Sequence, residues 1–245
     1  MSSSLASRLI VTLLSAGLLA ACTESDLSRR LIHDPYEIAN RKTHQTNIAI
    51  DAAILRPTAE IYAEVTPAGV RTMVGNFSGN LSEPRFAINH LLQGNLPGFF
   101  GSVGRFVMNS TLGIGGLADP AGELGLFQKP TDFGQTLGTW GVKEGAYVEL
   151  PVFGPSSERD TVGRIADFLL DPVNTFARKP ATNIITTARA LDVLNDRHDF
   201  DGAVNSVLYD SEDSYALARL IYLQSVRGAA SGETVLEDLE DPYAE

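Results

Sequence analysis

The chain has 245 residues, 44% of them hydrophobic and 20% charged, which fits one large folded domain or two small ones and excludes a disordered chain. Nineteen Lys and Arg stand against thirty Asp and Glu, a formal net charge of −11. No basic cluster offsets that balance, so nucleic acid is not an expected partner.

Residues 1–21 read as a targeting segment. Arg8 supplies the positive charge, and Leu9–Ala21 is an apolar run too short for a bilayer span, which needs about 20 residues. The run ends in Leu19-Ala20-Ala21-Cys22, which resembles a bacterial lipobox and makes Cys22 the lipidated first residue of the mature chain. Cys22 is the only cysteine, so no disulfide forms within the chain. Thr23 follows it where an aspartate would resemble an inner-membrane retention signal, and this favours the outer membrane. Each buried acyl CH₂ contributes about 0.8 kcal/mol, so several chains on one cysteine give stable anchoring. Residues 22–33 then form a short lipidated linker.

Asp34-Pro35 predicts a helix start, with Asp34 as N-cap. The helix continues through Tyr36–Gln45, and Ile48–Leu55 is apolar. Arg56-Pro57 predicts a kink or a restart, after which Ile61, Tyr62 and Val65 share a face. Thr66-Pro67 opens a further helix to about Asn80, with Val70, Val74, Phe77 and Leu81 at helical spacing. Ser82-Glu83-Pro84 predicts another, carrying Phe86, Leu91 and Leu92, and Gly94-Asn95 stops it.

Gly94–Gly163 contains fifteen of the chain's twenty-two glycines. A glycine inside a helix costs about 1 kcal/mol relative to alanine, so a run of them needs a reason. Close helix approach and irregular backbone around a cavity are two; a loop-rich segment with many turns is a third. Within it, Leu96–Leu112 reads as an amphipathic helix. Phe99, Phe100, Val103, Phe106 and Val107 lie on an apolar face suited to lipid, and Gly98, Gly101, Ser102, Arg105 and Asn109 lie on the opposite strip. A core helix in a soluble bundle would show the same period.

Gly113–Asp132 reads as irregular, Asp132–Trp140 as a short helix and Tyr147–Phe153 as strand-like, ending at Gly154-Pro155. Helices are expected over Glu158–Leu170, Ala181–Asn195, Asp201–Tyr209 and Ser211–Arg227, the last capped by Ser211. Residues 229–245 form an acidic tail.

Catalytic motifs fail on context. His33, His44, His90 and His198 are scattered without ligand spacing. Gly113–Ala118 matches a loose dinucleotide pattern, but no strand precedes it and Asp119-Pro120 follows. Asp199-Phe200-Asp201-Gly202 has part of a calcium loop, with Arg197 where the first ligand belongs. Ser78 has no nucleophile elbow around it, and Asp160, Asp167 and Asp171 sit where helix capping explains them. No catalytic residue, metal site or cofactor is expected.

In order along the chain stand Asp34-Pro35-Tyr36-Glu37 with Asn40-Arg41; Asn76-Phe77 with Asn80-Leu81 and Glu83-Pro84; Leu92-Gln93-Gly94; Arg105-Phe106 with Asn109-Ser110; and Gly113-Ile114-Gly115-Gly116. Phe133–Gly138 with Trp140-Gly141, Tyr147–Pro151, Gly154-Pro155-Ser156 with Arg159-Asp160, and Tyr215, Arg219 and Tyr222 follow. This series of blocks resembles the MlaA/VacJ family of Gram-negative outer-membrane lipoproteins over residues 34–228. The resemblance implies an all-α, ring- or disc-like body of amphipathic helices embedded in the inner leaflet of the outer membrane. It implies an amphipathic channel that removes mislocalised phospholipid from the outer leaflet, passes it to a soluble periplasmic lipid-carrier protein and so maintains lipid asymmetry, with trimeric porins as neighbours. The strip Gly98, Gly101, Ser102, Arg105 and Asn109 is then a candidate channel lining, with Arg105 either meeting a phosphate or pairing with an acid inside the body. The chain departs from the family at Thr43–Asn47, where an Asn- and aromatic-rich stretch is expected. A porin- or envelope-scaffolding lipoprotein that moves no lipid is the alternative, and a lipid-cleaving enzyme a third.

Overall fold

The computed structural model describes residues 32–231, so Cys22, the linker up to residue 31 and the tail from residue 232 lie outside the described residues. The chain begins with α1 (Glu37–Ile50), which runs without a break through a π-helical turn (Asp51–Leu55) into α2 (Arg56–Val65). Asp34 is not the N-cap: no side chain caps α1, and Asp34 instead accepts hydrogen bonds from Asn40, Tyr215 and Arg219. Of the kink or restart expected at Arg56-Pro57, the restart is observed: Pro57 lies in the first turn of α2, and the π turn before it, where the Arg56 N–H reaches the Asp51 carbonyl, joins it to α1.

Ala68–Leu92 is a single helix, α3, rather than the two expected. Pro84 lies inside it and removes one backbone hydrogen bond. The helix continues through that position, packed against α4 (Leu96–Thr111), α6 (Phe133–Thr139), α8 (Pro172–Phe176) and α9 (Ala181–Asp199). Gly94, at φ 73°, ends it as the sequence predicts. The helix α4 is close to the expected one, begins with Asn95 accepting from the Gly98 N–H, and packs along α3. The segment after it is mostly irregular with a short α5 (Pro120–Glu123).

The all-α expectation needs correction at one place. Tyr147–Leu150 (β1) pairs antiparallel with Gly154–Ser157 (β2), with Tyr147 opposite Ser157 and Leu150 opposite Gly154. Gly154-Pro155 does not end the strand, as the sequence suggests, but starts the second, with Pro155 at the edge of a two-stranded ribbon where its missing donor is tolerated. The ribbon is completed by α1. Asn40 donates to the Tyr147 carbonyl and accepts from the Glu149 N–H at 3.1 and 3.0 Å. Asn47 repeats this at the Leu150 carbonyl and the Val152 N–H, at 2.9 and 2.7 Å. Seven residues apart on one helical face, the two asparagines act as a neighbouring strand would. His44 lies between them and contacts Glu149 and Ser214, each at 3.1 Å. The segment Thr43–Asn47 thus holds the hairpin by hydrogen bonds, and its His44 ring stands edge-on to Tyr215.

After the hairpin, α7 (Glu158–Leu170) has the expected bounds, with Ser157 accepting from the Asp160 N–H. It approaches α6 closely: a Cβ on Gly163 would stand 2.3 Å from the Gly134 nitrogen, so these glycines serve backbone contact. α10 (Asp201–Leu208) and α11 (Ser214–Ser231) close the chain. Asp213, rather than Ser211, accepts from the Ala216 N–H at the start of α11.

A buried ion pair ties the two ends together. Arg197 on α9 forks onto Asp51 at 2.8 and 3.0 Å and also donates to Asp201 and Asn205, while Tyr209 donates to Asp51 at 2.7 Å. Burial pushes the Asp51 carboxyl up, but the bonds from Arg197 and Tyr209 outweigh it and hold the group below its usual value of 3.8. A carboxyl depressed in the folded state contributes stability above its unfolded value and loses it as pH falls below. Arg197→Met leaves Asp51 buried without its cation and is expected to destabilise the protein by about 3–5 kcal/mol. Denaturant titration in detergent between pH 6 and pH 3 checks this: the wild type loses stability as pH falls, and the variant, weaker at pH 6, loses less.

Candidate functional site

The strip on α4 faces inward. Gly98, Ser102, Arg105 and Asn109 are buried and Gly101 is half-buried. Arg105 donates to Glu83 on α3 at 2.5 Å, to the Leu126 carbonyl, and to Asp119 at 3.1 Å. Asn109 donates to the other Asp119 oxygen at 2.7 Å and accepts from the Ala121 N–H, while Gln128 donates to Glu83 at 3.1 Å. Burial pushes the Asp119 carboxyl up, but the Gly122 N–H, Asn109 and Arg105 together hold it below the ordinary carboxylate value. Of the two roles open to Arg105, pairing with acids inside the body is the one observed, and its charge binds segment 113–132 to α3. The opposite face is outward: Phe100, Val103 and Val107 are exposed, Phe99 is half-buried with its ring edge-on to Phe100 at 5.1 Å, and Phe106 is half-buried.

That polarity recurs over much of the body, with charged patches such as Glu60, Glu64, Arg178, Lys179 and Glu212 also on its surface. Among the described residues nineteen polar or charged side chains are buried against eleven hydrophobic ones, and six of the eleven are alanines. Large apolar side chains lie outside on almost every element, among them Ile38, Ile61, Leu112, Phe127, Phe168 and Phe176. A water-soluble protein places these classes the other way round. No helix among the described residues is long and apolar enough to cross a membrane.

A cavity of about 830 Å³ opens between α3, the hairpin turn, α7, α8 and α9. Its walls are two-sided. Leu150, Pro151, Phe153, Ile165, Phe168 and Val193 supply apolar surface. Arg85, Arg164, Arg189, Asp167, Asp171 and Asp192 supply charge. Two of the arginines are already paired: Arg85 with Asp167 at 3.4 Å, and Arg189 with Asp171 at 2.9 Å and with Asn174. Asp167 is fixed further by Asn89 at 2.8 Å and by the Phe133 N–H at 3.0 Å, and Asn89 also accepts from Thr136. The groove wall is therefore rigidly braced to α3 and α6. The α4 strip does not border this groove. Sequence reading missed Arg85, Arg164, Arg189 and Asp192 because they stand on three separate helices, from position 85 to position 192, and meet only in the folded chain; the one available signal was an arginine on an otherwise apolar turn, Val162–Ile165.

A polar interior, an apolar exterior and an amphipathic groove define a helical protein whose surface matches lipid rather than water. The chain belongs to the MlaA lipoprotein family, whose model matches residues 32–228. It is 34% identical over 242 residues to the Shigella flexneri "Intermembrane phospholipid transport system lipoprotein MlaA", covering 97% of this chain and 94% of that one. The Escherichia coli K12 protein of the same name is 33% identical over the same shares. An uncharacterised protein of Rickettsia bellii is 37% identical over 78% of this chain and 74% of its own. Among solved structures, a chain from work described as "Structural basis for maintenance of bacterial outer membrane lipid asymmetry" superposes with a TM-score of 0.67 at 32% identity, covering 80% of this chain and 98% of that one.

Glu83 is fully buried, so Glu83→Ala removes one of the two carboxylates on the buried Arg105 guanidinium and leaves Asp119 as the other. The expected cost is about 2–3 kcal/mol. Hydrogen exchange localises it: the Ala121 and Leu126 amides lose protection well before those of α9.

Proposed function

We propose that this chain is the outer-membrane lipoprotein of an intermembrane phospholipid transport system. Anchored through Cys22, it lies in the inner leaflet of the outer membrane as a ring- or disc-like body, beside trimeric porins. The groove is the passage through that body. It lets phospholipid that has strayed into the outer leaflet leave toward the periplasm, where a soluble carrier takes it, and the lipid asymmetry of the membrane is maintained.

The observation that carries this reading is the groove itself: charge and apolar surface share one cavity inside a body whose exterior is apolar. A phospholipid crossing a leaflet needs polar groups for its headgroup and apolar contact for its chains at the same depth. The names of the Shigella and Escherichia relatives support the same role. In this reading the groove carries the headgroup, the α4 strip braces the wall beside it, and the α4 face with Phe100, Val103 and Val107 lies against acyl chains. Passage requires no covalent chemistry, and lipid moves in whichever direction its energised partners draw it.

Cells lacking the chain are expected to carry phospholipid on their surface, read with a membrane-impermeant amine label, and to become sensitive to detergent. Val193→Arg, at an exposed groove position, is expected to fold and reach the membrane yet fail to restore either property; Cys22→Ala is expected to fail through loss of the anchor. Surface phospholipid unchanged by deletion would exclude the role and favour a scaffolding lipoprotein.

A further inference from the structure

The groove contains one cation and one carboxylate that the protein leaves uncommitted. Arg85 and Arg189 are held by Asp167 and Asp171. Arg164 has no carboxylate within ion-pair distance among the described residues; its guanidinium sits 5.9 Å from the centre of the Phe153 ring, over the groove's apolar wall. Across the groove, on α9, Asp192 has no Lys or Arg within ion-pair distance among the described residues. The nearest candidates are engaged elsewhere: Arg71 donates to Asn195 and Asp199, and Arg189 to Asp171 and Asn174. Ser78 lines the same groove wall beside Asp192.

We infer that the groove recognises a zwitterionic headgroup carrying a primary ammonium, with Arg164 taking the phosphate and Asp192 the ammonium. The inference rests on the groove being the lipid passage. Its basis is charge complementarity: every other charged group in the groove has an internal counterion, so a ligand of net charge zero with separated ends leaves no group unpaired. An anionic glycerol headgroup satisfies Arg164 equally well and leaves Asp192 facing a hydroxyl. Burial pushes the Asp192 carboxyl above its usual value. An arriving ammonium relieves that penalty, whereas a neutral headgroup does not.

Full-length lipoprotein, purified in maltoside micelles, tests this with chain-matched phosphatidylethanolamine and phosphatidylglycerol added at equal concentration and bound lipid counted by native mass spectrometry. A photo-crosslinker in place of Ser82, a half-buried position on the groove wall, reports capture within the groove. The wild type is expected to retain phosphatidylethanolamine about fivefold over phosphatidylglycerol, a margin typical of one partly exposed charged hydrogen bond. Asp192→Asn is expected to remove the preference while leaving phosphatidylglycerol bound as before, and Arg164→Gln to lower both lipids while keeping the preference. Equal capture of the two lipids at Ser82 by wild type and D192N would overturn the headgroup assignment and leave the passage intact. Capture of neither lipid at Ser82 would overturn the passage itself, and the headgroup assignment with it.

Discussion

In the leaflet setting proposed above, a body surrounded by acyl chains gains little from burying leucine, because the outside is then as apolar as any core. The stabilisation must come from polar groups satisfied inside. This constraint explains why Glu83, Asn89, Thr136, Ser156 and Ser157 are almost entirely inaccessible while Phe168 and Phe176 are exposed. It also explains why the bonds that join distant elements are so often charged: Arg197 to Asp51, Arg105 to Glu83 and Asp119, Arg219 to Asp34. In low dielectric, one partner without the other is costly, so each pair fixes the register of the helices carrying it.

The same economy shapes the groove. Its wall is set by Asp167, which joins Arg85 and Asn89 on α3 to the start of α6, and by Asp171, which joins α8 to α9 through Arg189. The turn of the hairpin borders the opposite side and is held by Asn47 from α1. Helices distant in sequence thus enclose a cavity without a hydrophobic core behind it. Close backbone approach at Gly134 and Gly163 brings α6 and α7 near enough for this arrangement.

How much of this was legible depended on whether the determining contacts were local. The bounds of α7, the stop at Gly94 and the course of α4 follow from caps and period, and the sequence shows them. Pro57 opens α2 as the local rule expects, whereas Pro84 lies inside α3, where tertiary packing overrides that rule. The second strand was missed because Gly-Pro normally ends a strand, and here the partner that satisfies the ribbon is a pair of helical asparagines. Arg105 stood out as the single charge on an apolar helix, but its burial depends on Glu83 and Asp119, which no periodicity brings together. The apolar exterior was indicated at α4 alone; its extent over the whole body emerges only from the folded chain.

The central claim, an apolar exterior in lipid around a groove open to polar groups, is tested most directly by single introduced cysteines in the lipidated protein within outer membranes. Cys22 is the only native cysteine and is acylated in this account, so it does not react. An aqueous maleimide is predicted to label Val193→Cys in the groove and to leave Phe100→Cys and Val107→Cys on α4 unlabelled until the membrane is dissolved in detergent. Labelling of both α4 positions at the rate of Val193→Cys in intact membranes would contradict it.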